Sequence, residues 1–243
     1  MSAASPDPAS ARFAVHRIAV YFLPAPEGSL ARAGADWLGG RVIDDPPWPD
    51  WLSAPARYGF HATLKAPFRL ADGLDPTAMA TWVRERARRI DAFTLPPLEP
   101  VWFGDFLALR PRDGDPAPDA PLRCLADECV AVLEPWRAPL TAQEVARRRP
   151  ERLSAEQARL LRQWGYPGVF DAWRFHMTLS GPAPPTLDAA TRSAILAAAR
   201  AHFASALAQP ILVDAISLCV EASAGQAFRC WRRVPLRGAA DPA

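Results

Sequence analysis

The sequence predicts an α+β domain built from two related halves, and three observations predict it. Apolar stretches with strand-like alternation trade places along the chain with stretches of helical spacing. The tetrapeptide pattern His-x-Thr-Leu occurs twice, as HATL at 61–64 and HMTL at 176–179. Each copy is followed by a helical segment and then by a pair of short strands, so the order of elements repeats even though the residues do not.

The elements follow in order. FAVHRIAVYFL (13–23), rich in β-branched and aromatic residues and closed by Pro24, reads as a strand. SLARAGADWLGG (29–40), with Ser29 as cap and Gly39-Gly40 as stop, reads as a short helix. The proline- and tryptophan-rich stretch 44–59 reads as a structured loop, and HATLKAPFRL as the next strand. In 75–91, Asp75 is placed to cap and Pro76 occupies the first helical position. Short apolar runs around Gly104-Asp105 read as a hairpin, and 110–121 as a turn-rich loop. A helix follows over 122–137, then two capping boxes, Thr141 with Glu144 and Ser154 with Gln157. The alanine-rich stretch 187–208 reads as a long helix, and the chain closes with two alternating strands joined by a glycine-containing turn. The domain is expected over 13–237, with tails at 1–12 and 238–243.

Composition narrows the function classes. Half of the 243 residues are hydrophobic and 22% are charged, ordinary values for a globular chain. The net charge of +2 gives no support for broad polyanion binding, so DNA is not an expected partner. The apolar run at 13–23 is interrupted by His16 and Arg17 and is far too short to span a bilayer, and MSAASPDPASAR lacks the features of a signal peptide. A cytoplasmic protein without membrane partners is expected. Cys124, Cys129, Cys219 and Cys230 show neither CxxC spacing nor a nearby histidine, so no zinc site, other metal or cofactor is expected.

The chemistry concentrates in the two repeated tetrapeptides. In a strand, residues two apart share a face. His61, Thr63 and Lys65 then lie together, as do Arg174, His176, Thr178 and Ser180. Two such strands side by side would line a cleft with two imidazoles and two hydroxyls. That set suits acid–base chemistry at a phosphodiester: one imidazole takes a proton, the other gives one, and the hydroxyls donate to phosphate oxygens. Lys65 is the single lysine in a chain whose other basic residues are arginines, which draws attention to it. Lys65 and Arg174 read as pocket cations in register with the histidines, the alternative being strand-edge charges.

Two HxT motifs, one in each half, resemble the 2H phosphoesterase superfamily, which includes RNA 2′,3′-cyclic phosphodiesterases (2′-5′ RNA ligase-like proteins). The longer stretches RYGFHATLKAPF and RFHMTL are most similar to a bacterial subgroup of phosphonate-metabolism proteins. The resemblance implies two pseudo-symmetric lobes of antiparallel sheet with outer helices around a central cleft. It also implies a metal-independent hydrolase of the 2H cyclic phosphodiesterase type, with His61, His176, Thr63 and Thr178 acting on the phosphate. Arg57, Tyr58, Lys65 and Arg174 are the candidate binding residues. The expected substrate is a small phosphorylated molecule, ribose-based, such as a ribosyl cyclic phosphate formed in phosphonate breakdown. An RNA end bearing a cyclic phosphate is the alternative, and a non-catalytic phosphate-binding module of the same fold is another.

Other conspicuous residues receive plainer readings. His16 is expected to be structural or exposed, and His202 to lie on a helix surface. Trp48 and Trp51 read as packing residues of their loop, and the RRRPER run at 147–152 as a solvated helix junction.

Overall fold

The computed structural model describes residues 15–39 and 50–239. The expected tails, the start of the first strand, the Gly40 stop and Trp48 lie outside the described residues. In chain order the elements are β1 (Arg17–Phe22), α1 (Ser29–Leu38), α2 (Asp50–Ser53), β2 (Ala62–Phe68), α3 (Pro76–Ala87), β3 (Phe93–Thr94), β4 (Leu98–Phe103) and β5 (Phe106–Pro111). They continue with α4 (Pro121–Val132), α5 (Ala142–Arg147), α6 (Ala155–Trp164), β6 (Met177–Thr178), α7 (Ala189–Leu207), β7 (Leu212–Val213), β8 (Ala215–Glu221) and β9 (Arg229–Pro235).

Local chemistry sets most of the boundaries. Asp75 accepts from the Ala78 amide and Pro76 opens α3. Both capping boxes form in full, at Thr141–Glu144 and Ser154–Gln157. Each supplies partners for amides that a helix start leaves unpaired. Asp188 caps α7 by accepting from the Thr191 amide. Gly104-Asp105 joins β4 to β5, with Gly104 at φ +64°, where a side chain would be strained.

Four expectations shift. α1 is preceded by Gly28, and Ser29 is its first residue and makes no side-chain cap. The expected loop at 44–59 contains α2 and a 3₁₀ turn over Ala54–Tyr58. The helix expected to reach 137 ends at Val132, with a 3₁₀ turn at Glu134–Trp136, because Pro135 cannot donate to a continuing ladder. The second motif contributes only Met177 and Thr178 to a strand.

The fold is α+β, as expected. Seven strands form one antiparallel sheet in the order β4-β5-β6-β2-β1-β8-β9, beside a two-stranded pair β3-β7. The expected halves are joined in this continuous sheet through the β2–β6 pairing, three strands on one side and four on the other. The connections interleave them. The hairpin β4-β5, which follows the first motif, pairs with the strand of the second; β8-β9, which follows the second, extends the side of the first. The two motifs therefore become immediate neighbours at the centre of the sheet.

Alternation separates the two faces. Ile18, Val20 and Phe22 of β1 and Ile216, Leu218 and Val220 of β8 enter the main core with residues of α1, α3, α4 and α7. Their neighbours Ala19, Tyr21 and Cys219 turn the other way and form a small cluster with Phe228. Side chains such as Phe22, Trp37 and Phe203 are fully buried in the main core, each worth about 1.5–3 kcal/mol relative to exposure. Pro100 is tolerated because β4 is an edge strand, and Arg229, Arg232 and Arg233 charge the opposite edge, β9.

Candidate active site

The pairing of β2 with β6 builds the site. Ala62 lies opposite Met177, so the antiparallel register carried one residue either way sets His61 across from Thr178 and Thr63 across from His176. Each histidine thus faces the threonine of the other motif. Trp173, just ahead of the second motif, donates its indole N–H to the Thr63 carbonyl at 3.0 Å and ties the two together. Trp37 of α1 donates to the Leu179 carbonyl at 2.8 Å, and the Gly181 amide to the Trp51 carbonyl at 2.5 Å. A Cβ at Gly181 would lie 2.9 Å from that Trp51 oxygen, so the close approach requires glycine.

Both imidazoles are held by the same device. His61 Nδ1 lies 2.9 Å from the Gly59 carbonyl and His176 Nδ1 lies 2.8 Å from the Arg174 carbonyl, in each case two residues back. A carbonyl only accepts, so Nδ1 carries the proton and Nε2 is left as the basic lone pair of the neutral ring. Gly59 makes this possible at His61 with φ +71°. The Thr63 hydroxyl stands 3.3 Å from His61 Nε2 and donates to it when the ring is neutral. Tyr21 stacks on His61 with ring centres 3.8 Å apart, while His176 packs against Phe103 and Phe106 at 5.8 and 5.6 Å.

Burial favours the neutral form of both rings. It lowers His61 to about 4 against the favourable pull of its backbone bond, with the charge of His176 adding to the lowering. Burial likewise lowers His176, with Arg110 acting in the same direction and the backbone bond and Asp115 opposing it. The Tyr21 phenol is pushed up by burial and stays protonated.

A cleft of about 480 Å³ opens over this pair of strands. His61, Thr63, Thr178 and Tyr58 line it; His176 is not among its lining residues and adjoins it through Phe106, which is. Arg17, Tyr21, Arg148 and Tyr166 also line it and were not singled out from the sequence as site residues. Arg148 stands 4.8 Å over the Tyr166 ring, so the arginine run expected as a solvated junction supplies part of the cleft wall. Arg17 is anchored by fully buried Glu221 at 2.6 Å.

Three expected binding residues lie elsewhere. Lys65 is buried, and its ammonium donates to the Val130 carbonyl at 3.0 Å and meets Glu134 at 3.4 Å. The reason is a register slip: Tyr21 pairs with Thr63 but Val20 pairs with Lys65, so β2 has one extra residue there. Lys65 consequently shares the helix-covered face with Val20, against α4, and not the cleft face with Thr63. A second slip lies beyond it, where Pro67 has no amide to give the ladder. Arg174 is directed to Asp115 at 3.0 Å and to the carbonyls of Asp171 and Trp173. Arg57 pairs with Glu221 at 3.0 Å. Ser180, matched with Lys65 in the sequence pattern, is fully buried, its hydroxyl accepting from the Leu107 amide and donating to the Gly181 carbonyl. His202 bonds the Ala33 carbonyl at 2.8 Å and joins α7 to α1, a structural role. Trp51 packs beside Trp102.

Comparison with known proteins now bears on the family. A profile of the DUF1045 family, described as a protein of unknown function, matches residues 63–229. The chain belongs to the DUF1045 family. It is 37% identical over 236 residues to ribose 1,5-bisphosphate phosphokinase PhnN of Janthinobacterium sp. (strain Marseille), covering 91% of this chain and 51% of that protein. It is 39% identical over 228 residues to the protein of the same name from Laribacter hongkongensis (strain HLHK9), covering 90% and 51%. The chain spans about half the length of the curated relatives it matches. Both relatives carry the name PhnN. The same names correct the enzyme class expected from the motifs: the relatives are named as phosphokinases, which transfer a phosphoryl group, and not as cyclic phosphodiesterases or any other hydrolase. Among the described residues no helix is long and apolar enough to cross a membrane, and no group of three potential metal ligands occurs.

Proposed function

We propose that the central cleft binds a small phosphorylated ribose and that His61 and His176 move protons at its phosphoryl oxygens. The observation that carries this reading is the pairing of β2 with β6, Ala62 opposite Met177, which brings the two HxT motifs side by side. His61 Nε2 and the Thr63 and Thr178 hydroxyls then face one small anionic group, and His176 adjoins it through Phe106. Arg17 and Arg148 supply positive charge on the walls, and Tyr58 and Tyr166 supply flat surfaces for a sugar. The ribose phosphate comes from the names of the relatives, carried to this chain as part of the proposal.

The pKa directions add a specific requirement. Burial lowers both imidazoles from their ordinary value, which favours the neutral form of each as a base over the protonated form as an acid. A phosphate dianion entering beside them favours their protonated forms. Binding is thus coupled to proton uptake, and the substrate itself supplies the charge that converts one base into an acid.

Calorimetry in two buffers of different ionisation enthalpy tests this. Binding of ribose 5-phosphate or ribose 1,5-bisphosphate near pH 7 is expected with net proton uptake, reduced in His61→Gln and His176→Gln. No binding of either ligand, or binding indifferent to both substitutions, overturns the proposal.

A further inference from the structure

A second group of reactive side chains lines a separate cavity that shares Tyr58 with the cleft. Cys219 of β8 and Cys230 of β9 are register partners across the antiparallel pair, beside the point where that register slips. Such partners have Cα atoms about 4.5–5.5 Å apart. That falls inside the window of roughly 4.4–6.8 Å that a disulfide spans. Both are free thiols, Cys230 exposed and Cys219 buried. Both line a cavity of about 550 Å³ together with Ser217, Arg233 and Tyr58, so small molecules in solution reach the pair.

We propose that Cys219 and Cys230 form a dithiol site for hydroperoxides, in which Cys230 is oxidised first and Cys219 then closes a cross-strand disulfide. The Cys230 thiolate attacks one peroxide oxygen. The S–O bond forms as the O–O bond breaks, and the departing oxygen leaves as water or an alcohol after taking a proton. The Cys219 sulfur then displaces the hydroxyl of the sulfenic acid, forming the S–S bond and releasing water with the Cys219 proton. Two thiols are oxidised by two electrons in all, and one peroxide is reduced.

The surroundings assign the order of attack. Cys230 is lowered to about 6, first by its hydrogen bond with Cys219 and further by Ser217 and Arg233, while burial opposes. The Cys219 thiol is raised by the same bond and by burial, which suits it to keep its proton until the second step. The Ser217 hydroxyl is buried, makes no hydrogen bond of ordinary length among the described residues, and lies near enough to Cys230 to favour its thiolate. Cys124 provides the internal contrast. It is also exposed, but its thiol bonds the Pro118 carbonyl, and among the described residues no second cysteine faces it in a strand register.

The test uses the full chain, near-stoichiometric hydrogen peroxide, alkylation of the remaining thiols and peptide mass analysis. Cys219 and Cys230 are expected to leave the alkylated pool together, as one cross-linked peptide lighter by two hydrogens. This should run about tenfold faster than oxidation of Cys124. In Cys219→Ala, whose circular dichroism is checked against the wild type, Cys230 is expected to stop at the sulfenic acid and be trapped by dimedone. The proposal is overturned if Cys124 reacts as fast as Cys230, or if Cys230 is oxidised while Cys219 in the same wild-type molecules stays alkylatable.

Discussion

The two half-sites share one backbone device and differ in nearly everything around it. His61 precedes a seven-residue strand, lies under the Tyr21 ring and bonds Thr63. His176 precedes a two-residue strand, sits among the edges and faces of Phe103 and Phe106, and lies near Arg110 and Asp115. In both, the carbonyl two residues back fixes the tautomer. The difference teaches that the HxT pattern specifies how the ring is held, whereas the ring's readiness to take a proton is set by groups from other elements. Asp115 draws a proton toward His176, and among the described residues no acidic group acts on His61 in the same way.

The largest expected effect removes the anchor beside the first half-site. Glu221 is fully buried and holds Arg17, Arg57 and the Gly225 amide. Glu221→Ala leaves these groups without their acceptor. It is expected to cost about 3 kcal/mol in denaturant unfolding, toward the lower end for breaking a buried pair because both guanidinium groups reach water. An unchanged midpoint would detach Arg17 from the architecture of this half-site.

Lys65 offers the next contrast, since it belongs to the strand of the first motif but not to its site. Lys65→Arg is expected to destabilise by about 1–3 kcal/mol, because a larger planar group must enter a packed position against α4. Ribose phosphate affinity should stay at the wild-type value. Lost affinity with intact stability would return Lys65 to the cleft and refute the effect assigned to the register slip.

A smaller effect, about 0.5–1.5 kcal/mol, is expected from Thr63→Val, which deletes the hydroxyl donor to His61 Nε2. That donor favours the neutral ring, so its loss should move His61 titration upward in NMR. Thr178→Val, across the sheet, serves as the matched comparison: equal shifts from the two would erase the distinction between them.

The subtlest prediction is one of order. His61 is expected to titrate below His176, near 4, in a histidine NMR titration. Because its folded value lies below the ordinary 6.5, the unfolded chain binds more protons between the two. The stabilising contribution of neutral His61 is therefore complete above about 6.5 and is lost progressively as the pH falls toward about 4. Stability that is flat across that interval in the wild type, or equal slopes for wild type and His61→Gln, would remove His61 from this account.

The sequence by itself determined what nearest neighbours decide. Asp75, Thr141 with Glu144, Ser154 with Gln157, and Gly104-Asp105 act through partners within three residues, so their caps and turn were legible. The pairing of His61 and Thr63 with His176 and Thr178 was legible because a repeated polar pattern on two strands has few other uses. Only the tertiary structure decided which cations reach the cleft. Lys65 is turned away by a slip against β1, a strand more than 40 residues earlier in the chain. Arg57 and Arg174 are taken up by Glu221 and Asp115, while Arg17 and Arg148 arrive from remote segments. Alternation predicts a face only while the register holds, and register is a property of two strands at once. A long charged side chain, likewise, goes where its counter-charge is, and that address is written elsewhere in the chain.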